Sequence, residues 1–251
     1  MEALNRSDAA VCYVTPSHQF PTGVTMPAGR RAELLHWAAR RPGGRYIIED
    51  DYDSEFRFDT RPLPSLQGMA GADGPVVYLS TCSRSLAPSI RIAYMVLPEH
   101  LLPAWRKKYR LYSGTVSRFE QQTLARFITE ATSPGIWPGS GCLQGPAGRA
   151  GGSIEHCLCS RRADLAGLHT GLNLLAKLKD PPPDAALRCA AEAEGVQLSL
   201  LTSDYGPDRR APSAAGTLVL GYGSLKDEAC ASVGETLKKV CMAAREASVT
   251  V

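Results

Sequence analysis

The chain of 251 residues is 44% hydrophobic and 21% charged, ordinary proportions for a globular protein with room for one large domain or a domain and a half. Its net charge of +3 argues against an electrostatic nucleic-acid binder, and the densest basic group, Arg106, Lys107, Lys108 and Arg110, reads as the solvated face of a helix. The 8 cysteines match no zinc-ligand spacing, Cys157 and Cys159 beside His156 coming nearest; they suit a reducing, cytoplasmic setting, and no apolar run approaches a membrane span.

In chain order, Val11–Thr15 is a short apolar run consistent with a buried strand, followed by breakers at Pro16, Pro21 and Gly23. Pro27 opens a helix over Arg30–Arg41 with Leu34, Leu35 and Ala38 on one face, and Pro42–Gly43–Gly44 ends it. Tyr46–Glu49, Val76–Leu79 and Ile92–Leu97 read as strands, and His100–Tyr112 and Ser117–Thr132 as helices. Strands alternating with helices predict an α/β layer with a mainly parallel sheet. From Pro134 to Gly152, 7 glycines and 3 prolines interrupt every periodicity, which reads as a linker. Beyond it, a helix over Asp184–Glu194 stops at Gly195, strands follow at Val196–Leu201 and Thr217–Leu220, and Lys226–Ala247 is a long terminal helix. That pattern suits a smaller α+β domain.

Two clusters carry chemistry. The strand ending at Glu49 runs into Asp50–Asp51–Tyr52–Asp53, and ligands of open α/β sheets sit beyond the carboxyl ends of strands. A side-chain period of two puts Asp50 and Tyr52 on one side, so a carboxylate and a phenol could face one ligand; a helix start or solvated turn fits the same residues. The segment Thr81–Cys82–Ser83–Arg84–Ser85–Leu86–Ala87–Pro88–Ser89–Ile90–Arg91 follows the next strand. Its hydroxyls and two guanidinium groups are what a phosphate site needs, although an ordinary polar loop has the same composition. A metal-dependent phosphotransfer site is disfavoured, because no glycine-rich phosphate loop with Lys–Ser/Thr is present.

Several stretches in order carry a resemblance: Thr15–Pro–Ser–His–Gln–Phe–Pro–Thr–Gly23, Ile48–Glu–Asp–Asp–Tyr–Asp–Ser–Glu–Phe56, Leu63–Pro–Ser–Leu66, Ser83–Arg–Ser–Leu–Ala–Pro–Ser89 and Arg91–Ile–Ala–Tyr94. Together they resemble the pyridoxal-phosphate (PLP) half of the MocR-type regulators, which join a GntR-class winged helix to a fold-type-I aminotransferase-like domain. The likeness runs from about Val11 to Ile128 and resumes more weakly at Ala166–Gly–Leu–His169 and Leu220–Gly–Tyr222. It implies that Asp50 pairs with the pyridine nitrogen of PLP, that Tyr52 bonds the ring hydroxyl, that Thr81, Ser83 and Arg91 bind or border the phosphate, and that His18 and the Phe20–Gly23 turn lie near the ring. A substrate-carboxylate arginine is also implied; Arg188, Arg209 and Arg210 are available, none in a matching motif.

Three departures stand out. The family reads Ser–Lys–Ser/Thr–Leu where this chain has Ser83–Arg84–Ser85–Leu86. Arginine stays protonated and forms no comparable Schiff base, and a lost proton shuttle alone removes about 10²–10⁴-fold in rate. Secondly, nothing before Val11 resembles the winged helix or the first part of the PLP domain, so DNA contact is not expected from this fragment. Thirdly, Gly135 to about Arg162 lacks the family's Gly–His–Leu–x–x–His–Ile–Arg helix; shifted frames with GC-rich codons restore similar residues, which points to a frameshifted segment that the nucleotide sequence would test.

The resulting expectation is a partial fold-type-I PLP-dependent transferase large domain with a mainly parallel sheet (residues 11–132), an irregular segment (133–165) and a smaller α+β C-terminal domain (166–251). Function is expected to be that of a PLP-binding effector domain of a MocR-type regulator, catalytically impaired by Arg84. PLP would be held without an internal aldimine and with weakened binding, a small amino acid or amine would be the effector, and the intact family implies a homodimer. The alternatives are a class I/II aminotransferase acting on a small amino acid, and a non-functional remnant or dimerisation module.

Overall fold

The computed structural model describes residues 1–41, 44–56, 63–130, 163–167, 171–204, 214–223 and 227–249. The Gly135–Arg162 segment, and with it the frameshift reading and the Cys157–Cys159 pair, lies outside the described residues, as do His169, Arg209 and Arg210. Described residues fall into two compact units, 1–19 with 24–130, and 20–23 with 163–249.

The first unit is a four-stranded sheet, β1 (Val11–Val14), β2 (Tyr46–Asp51), β3 (Val76–Thr81) and β4 (Ala93–Val96), in that spatial order. The pairs β1/β2 and β2/β3 are parallel, with Tyr13 opposite Ile48 and Asp50 opposite Leu79, and β4 closes the sheet antiparallel to β3. A short helix α1 (Glu2–Arg6) precedes β1; the crossovers are helices α2 (Ala28–Ala39) and α3 (Leu66–Ala70). On α2, Arg31, Leu34, Trp37 and Ala38 are buried, the i, i+3, i+6, i+7 stripe of a helix packed on a sheet. Leu34, Trp37 and Ala38 form one core with Ile47, Leu66 and Val76. Fully burying each large side chain contributes roughly 1.5–3 kcal/mol. Because β1, β2 and β3 run parallel, their carboxyl ends deliver residues 15–18, 50–53 and 81–84 to one edge of the sheet.

After β3 come the four-residue helix α4 (Cys82–Ser85), then α5 (Leu102–Tyr109) and α6 (Arg118–Glu130). Arg106, Lys107, Lys108 and Arg110 are exposed, as expected of a solvated helix face.

The second unit has an antiparallel sheet, β5 (Ala163–Ala166), β6 (Asn173–Leu178) and β7 (Thr217–Gly221), with helices α7 (Asp184–Ala193) and α8 (Asp227–Val249). Leu174, Ala176, Leu187, Leu218 and Val240 are almost fully buried here. At Gly167 a positive φ of 85° coincides with a close approach, the position of a Cβ falling 3.1 Å from the Gly23 backbone, so only glycine fits without displacement. The expected strand over Val196–Leu201 is corrected: Leu198 and Leu200 do alternate into the core, but only one bridge, Leu200 to Leu218, forms before a 3₁₀ turn at Leu201–Asp204. Two-residue periodicity there reports burial without a ladder. No helix among the described residues is long and apolar enough to cross a membrane.

Candidate cofactor site

Along the end of β2 the acidic residues divide by alternation. Glu49, Asp51 and Asp53 are buried, whereas Asp50 and Tyr52 are half-buried on the other side. Each buried carboxylate has a local structural task. Glu49, 0% exposed, accepts the backbone N–H groups of Leu66 and Gln67 at 2.9 Å each, satisfying two donors that the start of α3 leaves open. Desolvation nonetheless prevails over these two bonds and pushes the Glu49 carboxyl above the usual carboxylate range. Asp51 Oδ2 accepts from the Tyr78 hydroxyl at 2.7 Å. Asp53 Oδ2 lies 2.8 Å from His18 Nδ1, and both side chains are at most 2% exposed.

Asp50 and Tyr52 are engaged differently. The Tyr13 phenol donates to Asp50 Oδ2, and this bond, then burial, then the carboxylate charge, push the phenol up to about 12. Tyr52 donates its single hydroxyl proton to the His18 carbonyl at 2.7 Å. Its phenol is raised well above the ordinary tyrosine value by burial first and by Asp53 next, with Arg84 pulling the other way and the charges of Asp50 and Tyr13 adding to the rise. Those influences place Asp50, Tyr52, Tyr13 and Arg84 in one electrostatic neighbourhood.

The hydroxyl loop is built against the segment that follows it. Thr81 Oγ1 accepts from the Ser83 N–H at 3.2 Å and bonds the Ile92 carbonyl at 3.2 Å; Ser83 Oγ donates to the Ile90 carbonyl at 2.7 Å. Arg91 reaches Ser83 Oγ with one Nη at 3.4 Å and is otherwise exposed, while Arg84 is exposed at the last turn of α4. Thus His18, Asp50, Tyr52, Thr81, Ser83, Arg84 and Arg91 all belong to the first unit, at or just past the carboxyl ends of its parallel strands. The Phe20–Gly23 turn belongs to the second unit, and so does Arg188, exposed on α7. Among the described residues no His/Cys/Asp/Glu group could hold a metal ion.

Sequence reasoning did not single out Tyr13 or Asp53. Tyr13 faces Asp50 because it stands opposite Ile48, two residues before Asp50, and that register is a property of the folded pair. Asp53 carried a weak signal, being one alternation beyond Asp51.

No protein-family model matches the chain. It is 34% identical over 240 residues to the HTH-type transcriptional regulator YhdI of Bacillus subtilis, covering 90% of this chain and 47% of that protein. It is 31% identical over 229 residues to the probable rhizopine catabolism regulatory protein MocR of Rhizobium meliloti, covering 90% and 44%. The chain therefore spans about half the length of the curated relatives it matches. Among solved structures it resembles the α-aminoadipate aminotransferase LysN of Thermus thermophilus, crystallised with N-(5′-phosphopyridoxyl)-L-leucine, with a TM-score of 0.76 and 24% identity over 98% of this chain and 62% of that one. By sequence the chain is thus similar to the C-terminal region of MocR-type, GntR-class regulators, and its fold is that seen in the fold-type-I aminotransferases.

Proposed function

We propose that the chain is the PLP-binding, effector-sensing domain of a MocR-type regulator, holding PLP by noncovalent contacts and turning over little or no substrate. The observation that carries this reading is Arg84, exposed past the end of β3 and within electrostatic reach of Tyr52, at the place where the resemblance expects the tethering lysine. Its guanidinium remains charged and offers no nucleophilic amine. The rest of the donor set suits a phosphorylated pyridine. Asp50 supplies a carboxylate for a ring N–H, Tyr52 a phenol oxygen beside it, and Arg91 with Ser83 and Thr81 a guanidinium and hydroxyls for a dianion. His18 borders this site through its backbone carbonyl.

When bound, PLP supplies an electron sink, which depends on a proton held at its ring nitrogen. Asp50 would accept a hydrogen bond from that ring N–H and keep the proton on the nitrogen, with Tyr13 bonded at Oδ2. Arg84 keeps a positive charge within electrostatic reach of the Tyr52 phenol but can neither tether PLP nor shuttle a proton, so binding is weakened and turnover suppressed. We read residues 11–132 as the cofactor-binding part and the unit that opens with β5 as the smaller domain, in a cytoplasmic homodimer whose effector is a small amino acid or amine. The part described here contributes no DNA contact.

An absorbance titration with PLP of the wild-type chain and Arg84→Lys tests this. The expected result is a saturable change in both, with a new visible band only in Arg84→Lys that borohydride fixes as a phosphopyridoxyl group on residue 84. Spectral change in neither version would overturn the reading in favour of a remnant, and turnover of an amino acid by the wild-type chain would replace it with an aminotransferase.

A further inference from the structure

We propose that Asp53 and His18 form a buried positioning pair that fixes the Tyr52 phenol from behind, neither side chain touching the ligand itself. The proposal rests on the site reading above for the identity of the ligand, though not for the geometry.

The pair is closed off from solvent. His18 is 1% and Asp53 2% exposed, and Nδ1 stands 2.8 Å from Oδ2. Their outer atoms, His18 Nε2 and Asp53 Oδ1, are buried and lack hydrogen-bond partners among the described residues. An imidazole and a carboxylate kept inside with two polar atoms unsatisfied make a costly contact, one that an apolar pair of the same volume would avoid. The same His18 contributes the carbonyl that receives the Tyr52 proton at 2.7 Å, and Tyr52 and Asp53 are adjacent in the chain. Ring, carbonyl, phenol and carboxylate therefore form one closed unit across the ends of β1 and β2. With its side chain anchored on Asp53, His18 is tied to the strand end that carries Tyr52, and the carbonyl that holds the Tyr52 oxygen is tied with it.

The loop holding His18 is stiff at both shoulders. Gln19 N–H donates to the Val24 carbonyl at 3.0 Å, Met26 N–H to the Pro16 carbonyl at 2.8 Å, and Thr25 Oγ1 to the Ser17 carbonyl at 3.1 Å. These bonds fix the path of the loop around His18; Asp53 is the contact that fixes its ring. A consequence concerns the phenol. With its one proton committed to the His18 carbonyl, Tyr52 presents lone pairs to a ligand, and it becomes a donor only by releasing that carbonyl. The pair thereby sets which way the Tyr52 proton points.

The test uses the whole chain with ¹³Cζ-labelled tyrosine, Tyr52 being assigned by Tyr52→Phe. Asp53→Ala is expected to shift or broaden the Tyr52 resonance in the absence of PLP and to weaken PLP about tenfold, the equivalent of one hydrogen bond. In Asp53→Ala/Tyr52→Phe the loss is expected to be no greater than in Tyr52→Phe alone, because the two act through one group. His18→Asn, whose amide N–H replaces Nδ1–H, is expected to keep the wild-type resonance, and His18→Gln to move it; these two decide the matter if Asp53→Ala fails to fold. An unmoved Tyr52 resonance in folded Asp53→Ala, or in His18→Gln, would overturn the proposal, as would fully additive losses. If the resonance moves but the wild-type chain binds no PLP, the positioning pair stands and the cofactor reading falls.

Discussion

Replacing Glu49 with glutamine probes how the first unit holds the end of β2 against the start of α3. The carboxylate is wholly buried and takes two backbone N–H groups, from Leu66 and Gln67, while Ser65 Oγ takes a third, from Gly68. Glutamine keeps one acceptor but turns an NH₂ toward the second N–H, so one buried donor on each side loses its partner. Each orphan costs about 1–3 kcal/mol, and the neutral amide recovers part of this because it is less expensive to desolvate than a carboxylate. The expected net loss is about 1–3 kcal/mol at neutral pH, against total stabilities of about 5–15 kcal/mol. Urea unfolding at equal m-value measures it. The pH dependence has a definite sign. Burial raises the Glu49 carboxyl above the value it has in the unfolded chain, so the folded state takes up the proton first. Glu49 then contributes most below the ordinary carboxylate range and progressively less as pH rises through its raised folded value. The gap between wild type and Glu49→Gln should widen on acidification from neutral pH. A neutral-pH difference below about 0.5 kcal/mol, the range of an ordinary surface change, or a gap that narrows in acid, would refute the reasoning.

Arg31→Met is expected to cost about 1–3 kcal/mol in the same unfolding assay, because the carbonyls of Met26, Pro64 and Pro16 lose guanidinium donors at 3.1, 2.8 and 2.9 Å, although Pro16 also accepts the Met26 N–H at 2.8 Å; a loss below about 0.5 kcal/mol would mean that water or backbone shifts re-satisfy them. Tyr13→Phe should remove one phenol titrating at about 12 from the alkaline absorbance curve. The Tyr13–Asp50 bond stabilises the fold fully below the ordinary tyrosine value of about 10 and loses that contribution as pH climbs through the raised one, so the wild-type chain should show a decline in stability over that window which the variant lacks.

The alternation of strands and helices made most of the first unit legible. The stripe of Leu34 and Ala38, the apolar runs at Val11, Tyr46 and Val76, and the breakers between them correspond to β1, α2, β2 and β3 within a few residues. What escaped had weak local signals. In β6, Leu174, Leu175 and Ala176 are buried in succession, so neither a two-residue nor a helical period marks the strand. At Leu198 and Leu200 the opposite holds, since alternation is present but the backbone pairs with β7 at a single bridge. Periodicity reads which side chains meet the core; hydrogen-bond ladders depend on what lies alongside.

The same distinction governs the site. Asp50, Tyr52, Thr81, Ser83 and Arg91 could be nominated because strand ends and short motifs place them, and Arg84 because a lysine was expected in its stead. Tyr13 and the His18–Asp53 pair arise from register and from the path of a loop, neither of which is written locally. His18 illustrates the difference. A resemblance put it near a ring, whereas the fold turns its imidazole inward onto Asp53 and leaves its carbonyl to hold Tyr52. Glu49, Asp51 and Asp53 stiffen the strand end from its buried side through bonds to Leu66, Gln67, Tyr78 and His18, none of which involves Arg84. Restoring lysine at position 84 would change the chemistry available while leaving those bonds in place, and for this reason a single substitution can separate loss of reactivity from loss of the site.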